Sequence, residues 1–251
     1  MDDKDWRIKI KMEEELQFNP SYGSRRLSQA LHICRERAQR IMRKYGIRPY
    51  RRRGRKRRSS KAKRTFPNLL MSTMPLHANH IWATDFTELA HRGKKVYVST
   101  IIDLFTRKVV GVHVAVRKGA HLTTQTLANA LFHNSPPDML HSDNGREYEA
   151  RAFTDVLERW SVSISRSRPA CPWENGYQES FYDKFKVDLG NPNRFNTLGE
   201  LVAEIYRTVW AYNHIRIHSA LKMPPVAYAE MTTQQKTTAL AVESVSEESS
   251  P

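Results

Sequence analysis

The chain has 251 residues, 39% of them hydrophobic, and carries a formal net charge of +15. Self-repulsion at that charge opposes compaction, so the excess points to a polyanionic partner, either nucleic acid or an anionic membrane surface. No apolar run approaches the roughly 18 residues a spanning helix needs, and MDDKDWRIKIKMEEEL has no apolar signal-peptide core, so the expectation is a soluble, intracellular, nucleic-acid-bound protein with no membrane partner.

From the N-terminus, residues 5 to 17 (WRIKIKMEEELQF) read as a mixed-charge helix halted by Asn19-Pro20 and the turn residues Ser21 to Ser24. Arg25 to Ile33 and Arg35 to Tyr45 carry helix-spaced apolar residues, Leu27, Ala30 and Leu31, then Ala38, Ile41 and Met42, with Gly46 as a stop. Three short helices suggest a helix-turn-helix module over residues 1–47. Periodicity alone leaves a plain helical bundle equally open.

Over Arg48 to Arg64 the composition changes abruptly: RPYRRRGRKRRSSKAKR holds eleven Lys or Arg and no acid. Charges at that density keep a segment extended until phosphates neutralise it. Residues 48–77 therefore read as a DNA-tracking linker, with Arg51, Arg52, Arg53, Arg55, Lys56, Arg57 and Arg58 as its DNA contacts. A solvated loop and a localisation signal are the alternatives.

Beyond Pro67 the pattern turns to α/β. Ile81 to Leu89, Lys95 to Asp103 and Lys108 to Val116 read as three strands with short links, the last through FTRK, and such links imply antiparallel pairing. A helix from His121 to Phe132, a strand Asp138 to Ser142, a helix Glu147 to Trp160, a strand Val162 to Ser165, the helix carrying Glu179 and a helix Leu198 to Asn213 follow. This order describes an α/β domain over residues 78–230, a mixed five-stranded sheet flanked by helices as in the RNase H-like fold. Residues 231–251 are polar and acidic and are expected to lack fixed structure. Cys34 and Cys171 are too few for a disulfide scaffold or a zinc cluster and read as packing residues. His214 and His218 are spaced like metal ligands, but no second pair accompanies them.

Three carboxylates carry the chemistry. Asp85 sits mid-strand in WATDFTEL, Asp143 closes a strand in HSDNGREY where Asn144-Gly145 turns the chain, and Glu179 lies on the helix ENGYQESFYDKFK, with 35 residues between it and Asp143. Strand alternation puts Ala83, Asp85 and Thr87 on one face and Trp82, Thr84 and Phe86 on the other. On the helix, Tyr177, Phe181, Phe185 and Leu189 make an inward ridge, which leaves Glu179, Tyr182, Asp183 and Lys186 on the outer face. Taken singly, SDNG is an ordinary capping turn and Glu179 an exposed helix charge. Together, three such acids could hold two divalent cations, the arrangement that clamps the attacking and departing oxygens of an in-line phosphoryl displacement.

At YGSRRL, WATDFTEL, STIIDLFTRKVVGV, HSDNGREY, ENGYQESFYDKFK and YNHIRIHSALKMPPVAY the chain resembles the second-frame (OrfB) protein of IS3-family insertion-sequence transposases, bacterial relatives of retroviral integrase. The resemblance runs from Pro20 to Tyr228. It implies an RNase H-like integrase core after a small helical module, and a DDE transposase that cleaves and transfers DNA strands. Asp85, Asp143 and Glu179 fall on the family's catalytic, metal-binding acids; Lys186 and Asn175 fall on positions beside DNA. Two Mg²⁺ ions, replaceable by Mn²⁺, are the implied cofactors. Element ends and target DNA, other copies of the chain, and an upstream-frame OrfA partner or fusion are the implied partners, in a bacterial cytoplasm at the nucleoid. The family often has Gln where Arg146 stands and Asp-Asn-Ala where Glu174-Asn175-Gly176 stand, departures that bear on target preference. A tyrosine recombinase would need a nucleophile against Arg216, and none is placed there. A catalytically silent DNA-binding regulator derived from a transposase, and an RNase H-like nuclease that cleaves without joining, remain as alternatives.

Overall fold

A computed structural model describes residues 3–50, 66–168 and 172–248. Three N-terminal helices, α1 (Asp3–Phe18), α2 (Ser24–Ala30) and α3 (Arg35–Lys44), close on their own cluster of Met12, Tyr22, Leu27, Ala38 and Ile41. Asp5, fully buried, ties α1 to α3 through Arg40 at 3.0 Å and Arg37 and Lys44 at 3.6 Å. Cys34 is exposed at the N-cap of α3, so it is not the packing residue expected; Cys171 lies outside the described residues.

The second unit is a five-stranded sheet of order β3-β2-β1-β4-β5, formed by β1 (Ile81–His91), β2 (Lys94–Asp103), β3 (Val109–Ala115), β4 (Met139–Ser142) and β5 (Ser163–Arg166). The first three pair antiparallel and the last two parallel, the RNase H-like arrangement expected. Arg92 and Gly93, both with positive φ, make the two-residue hairpin between β1 and β2, matching the strands' twist. The FTRK turn is set by the buried Asp103, whose Oδ1 accepts from the Phe105 and Thr106 amides at 2.9 and 2.7 Å.

Side-chain parity divides the core. Trp82, Ile101, Val110 and Leu140 pack beneath α4 (Ala120–His133), α5 (Arg146–Glu149) and α6 (Arg151–Arg159) through Leu127, Tyr148, Phe153 and Leu157. Leu89, Val98 and Ile102 pack on the opposite face against α7 (Gly176–Leu189) and α8 (Leu198–His214) through Phe181, Phe185, Leu201 and Ile205. The single helix expected over Glu147 to Trp160 is broken at Ala150, whose ψ is 134°. Tyr148 and Phe153, five residues apart, would point about 140° apart on a continuous helix. The break lets both enter one cluster, edge to face at 5.3 Å.

Two segments differ from the composition-based reading. Residues 66–70, expected within the linker, lie on the sheet: Leu69 and Leu70 cover Ile81 and Ala83, and the Arg166 amide donates to the Pro67 carbonyl at 3.0 Å. Residues beyond 231 continue a helix, α9 (Pro225–Glu248), because MTTQQKTTALAVESVSEE contains neither Gly nor Pro and several good helix formers. Low hydrophobicity there argued for disorder without counting propensity. No helix among the described residues is long and apolar enough to cross a membrane.

Gly111 is where β3 meets α4: a Cβ there would stand 2.7 Å from the Thr126 carbonyl oxygen and 2.8 Å from the Ala130 methyl. Gly111→Ala should therefore cost about 1–3 kcal/mol by overpacking, measured by denaturant unfolding. An unchanged stability would mean that α4 does not seat against β3 this closely.

Candidate functional site

The register of the parallel pair places two of the acids. Ala83 is opposite His141 in β1 and β4, the last pair of that register, and Asp85 and Asp143 each follow it by two residues, where β4 ends. Adjacent strands lie about 4.8 Å apart. Open α/β sheets hold their sites at such strand ends. Both acids are half-buried. The Asp143 Oδ1 accepts the Gly145 amide at 2.9 Å, and a Cβ on Gly145 would stand 2.9 Å from that same oxygen. The same Cβ would stand 2.8 Å from a Glu147 carboxylate oxygen, so the glycine is what lets both carboxylates approach the turn this closely.

The third acid arrives on α7. Asp85 pairs with Thr100 of β2, and above that pair α7 is seated by polar contacts in a buried seam. The Gln178 amide donates to the Ala83 carbonyl, the Tyr182 hydroxyl to the Asp85 carbonyl at 2.8 Å, and Thr100 Oγ1 to the Tyr182 oxygen at 2.9 Å. Asn175, buried at the N-cap, reaches the Thr84 carbonyl at 3.5 Å. Glu179 follows Asn175 by four residues and precedes Tyr182 by three, so helical spacing carries it above the Asp85 segment of β1, at the exposed flank of α7. Among the described residues, however, no three His, Cys, Asp or Glu side chains stand close enough to hold a metal ion. The fold therefore brings Asp85, Asp143 and Glu179 to one quarter of the sheet without closing the three into a cluster.

The surroundings bias the charges. Tyr148, fully buried, is pushed well above the ordinary phenol range by burial first and by the Asp85 and Asp143 carboxylates second, so it remains an O–H group. Burial, and then Asp85, hold Tyr182 protonated in the same way. His141, with ring nitrogens 2.9 Å from Ser165 Oγ and Ser167 Oγ, is drawn down to about 4 by burial, against the pull of Glu174, and is neutral near pH 7. Burial alone would raise the Glu174 carboxyl; the Arg168 amide and guanidinium and Asn68 outweigh it and hold it below the usual range. Lys118 sits 4.8 Å over the Phe86 ring and pairs with Glu147 at 3.0 Å.

Several expected roles shift. Tyr182 is buried rather than on the outer face of α7, whereas Tyr177, expected in the inward ridge, is exposed and lies 4.2 Å beneath the Arg107 guanidinium. The helix buries a wider arc than its aromatic ridge because Gln178 and Tyr182 are drawn to strand carbonyls. Asn175, expected beside DNA, spends its amide on β1. Lys186 is half-buried on α7, two turns beyond Glu179. Arg51, Arg52, Arg53, Arg55, Lys56, Arg57 and Arg58 lie outside the described residues. Gln178 was missed, although its spacing from Phe181 and Phe185 marks it as a polar residue on a buried ridge. Tyr148 and His141 gave no signal beyond lying next to SDNG.

With this geometry in place, comparison with known proteins decides the family. A family model described as Integrase core domain matches residues 75–172, and a second of the same description matches 161–225. An uncharacterized transposase-like protein of Haemophilus influenzae is 30% identical over 152 residues, covering 60% of this chain and 70% of that protein. The chain belongs to the integrase-core family of insertion-sequence transposases. The putative transposase InsK for insertion sequence element IS150 of Escherichia coli is 30% identical over 67% of this chain, and the transposase InsF for IS3A of the same species 29% identical over 56% of this chain and 50% of its own length. These relatives place it with the IS3 family. The chain spans 61% of the length of InsK and 63% of that of the transposase for IS904 of Lactococcus lactis. The HTLV-2 integrase catalytic core in complex with magnesium shares the fold, with a TM-score of 0.53 and 19% identity over 62% of this chain and 99% of that one.

Gln178 is the part of this transposase site that can be tested on stability alone. Gln178→Ala strips buried partners from the Ala83 carbonyl and the Thr100 hydroxyl and should cost about 1–3 kcal/mol. Thermal unfolding reads this as a Tm lower by several degrees; an unchanged Tm would mean that the seam does not hold α7.

Proposed function

We propose that this transposase is a divalent-metal-dependent polynucleotidyl transferase that cleaves DNA at the ends of its insertion sequence and joins those ends to target DNA. The observation that carries this reading is that Asp85 and Asp143 each follow the registered Ala83–His141 pair by two residues, with α7, which bears Glu179, seated on the same strand by the Asn175, Gln178 and Tyr182 contacts. An all-carboxylate donor set suits a hard cation, Mg²⁺ or Mn²⁺. Asp85 and Asp143 would hold one ion, Asp85 and Glu179 a second, once α7 and the strand edge close on each other. Bound there, the ions supply activation of the attacking oxygen and stabilisation of the departing one.

The chain's own groups do the rest. Two carboxylates held at the spacing of adjacent strands, about 5 Å, would repel by roughly 3 kcal/mol at an effective dielectric of 20, so such a pair gains most from a cation between them. Tyr148 and Tyr182 stay protonated and add no further negative charge where a phosphate must approach. Lys186, two turns from Glu179, is placed to take a DNA phosphate, and the Arg51 to Arg58 run would track the backbone beyond the site. The active form is an oligomer assembled on DNA, together with an upstream-frame OrfA partner or as a fusion with it.

Asp143→Asn removes one charge at constant size. Mg²⁺-dependent nicking of DNA carrying the element's ends should fall by about a thousandfold or more, while binding of that DNA persists. Cleavage that survives the substitution would overturn the assignment. A wild-type chain that binds the ends tightly without nicking them in Mg²⁺ or Mn²⁺ would favour the silent regulator.

A further inference from the structure

The motifs YGSRRL and HIRIH, which the proposed chemistry leaves unused, meet in the fold. We propose that Ser21, Tyr22 and Arg26 of the N-terminal module are positioning residues for α7, acting through Asp188 in its last turn to fix where Glu179 stands; this rests on the reading of Glu179 given above.

The contacts span most of the chain. Ser21 Oγ donates to Asp188 Oδ1 at 3.1 Å, and the Arg216 guanidinium donates both to Asp188 Oδ2, at 2.9 Å, and to Ser21 Oγ. A serine hydroxyl, a carboxylate and a guanidinium thus close a triangle across α7, the segment following α8, and the turn between α1 and α2. Arg26 Nε donates to the Ile217 carbonyl at 2.9 Å, and the Ile217 amide donates to the Tyr22 hydroxyl at 2.8 Å. The Arg26 and Arg216 guanidiniums lie 5.8 and 5.4 Å from the Tyr22 ring centre. Tyr22 is 1% exposed and Arg216 3%. The Tyr50 amide returns to the Pro20 carbonyl at 3.0 Å, so the module's exit is tied to the same turn.

Three features mark this as a latch rather than as shared core. The apolar clusters of module and sheet are separate, so the joint can loosen while each remains packed. Its charge is lopsided: Arg26, Arg216 and Lys184 are close enough to repel one another, and Asp188 lies among them. Burial raises the Asp188 carboxyl above its ordinary range, and Arg216, Ser21 and Arg26 offset that only in part. Finally, Asp188 is nine residues from Glu179, about 13 Å along the helix. With Asn175, Gln178 and Tyr182 anchoring the other end of α7 on β1, the latch holds the second end, so the path by which Glu179 closes on the strand edge is set from both ends of the helix.

The test uses the full chain carrying Arg26→Ala, and separately Ser21→Ala, which removes one hydroxyl and keeps the question open should the first variant fail to fold. Hydrogen exchange of residues 176–189 should quicken by about tenfold, and kcat for Mg²⁺-dependent end cleavage fall by a similar factor with KM little changed. Arg26→Lys, which restores a donor, should recover part of both. Unchanged exchange in α7 overturns the proposal. So does weaker DNA binding with a salt slope reduced by about one, which would make Arg26 a phosphate contact. If the wild-type chain cleaves nothing, the proposed function fails, yet the exchange measurement still decides whether the latch holds α7.

Discussion

The site depends on one buried polar seam. A helix laid on a sheet by apolar side chains alone can slide or roll at small cost, since dispersion and burial are non-directional. Gln178, Tyr182 and Asn175 remove that freedom by meeting the carbonyls of Ala83, Asp85 and Thr84, each of which has a fixed direction. A buried donor left without its acceptor costs about 1–3 kcal/mol, so a one-residue slip of α7 is disfavoured several times over. The rotation and height of Glu179 above Asp85 follow from these contacts, not from the aromatic ridge beside them.

The seam works because the sheet beneath it is equally constrained. Parallel register between β1 and β4 sets Ala83 beside His141, and Asp85 and Asp143 each follow two residues later. The hairpin at Arg92-Gly93 fixes β2 against β1, which brings Thr100 under Tyr182, and the Asp103-centred turn leads β2 on into β3. Like charges gathered at a strand edge cost stability. A protein that tolerates that cost gains a place where a dication is strongly favoured.

Much of this was legible in the chain. Alternation in WATDFTEL and the short links after it give three antiparallel strands, and the period change at His121 gives helices and parallel strands. The acids stand at recognisable points, Asp143 before Asn-Gly and Glu179 on an amphipathic helix. What periodicity could not supply was the directional part. Tyr182 looks outward by its angle from Phe181, and only the carbonyls of a distant strand draw it in. Asn175 reads as a loop residue free to meet DNA until its amide is seen to be spent on Thr84. The break at Ala150 is likewise invisible locally, since it is driven by two aromatic rings seeking one cluster. Composition alone points to disorder after residue 231, whereas helix propensity carries α9 on to Glu248.

The central claim is that Asp85, Asp143 and Glu179 converge on bound divalent metal although the metal-free chain leaves them short of a cluster. Replacing Mg²⁺ by Fe²⁺ and generating hydroxyl radicals at the bound iron cuts the polypeptide wherever the ion sits. The account predicts cuts around residues 85, 143 and 179, all suppressed by excess Mg²⁺. Cuts near 85 and 143 with none in α7, or no localised cutting at all, would contradict it.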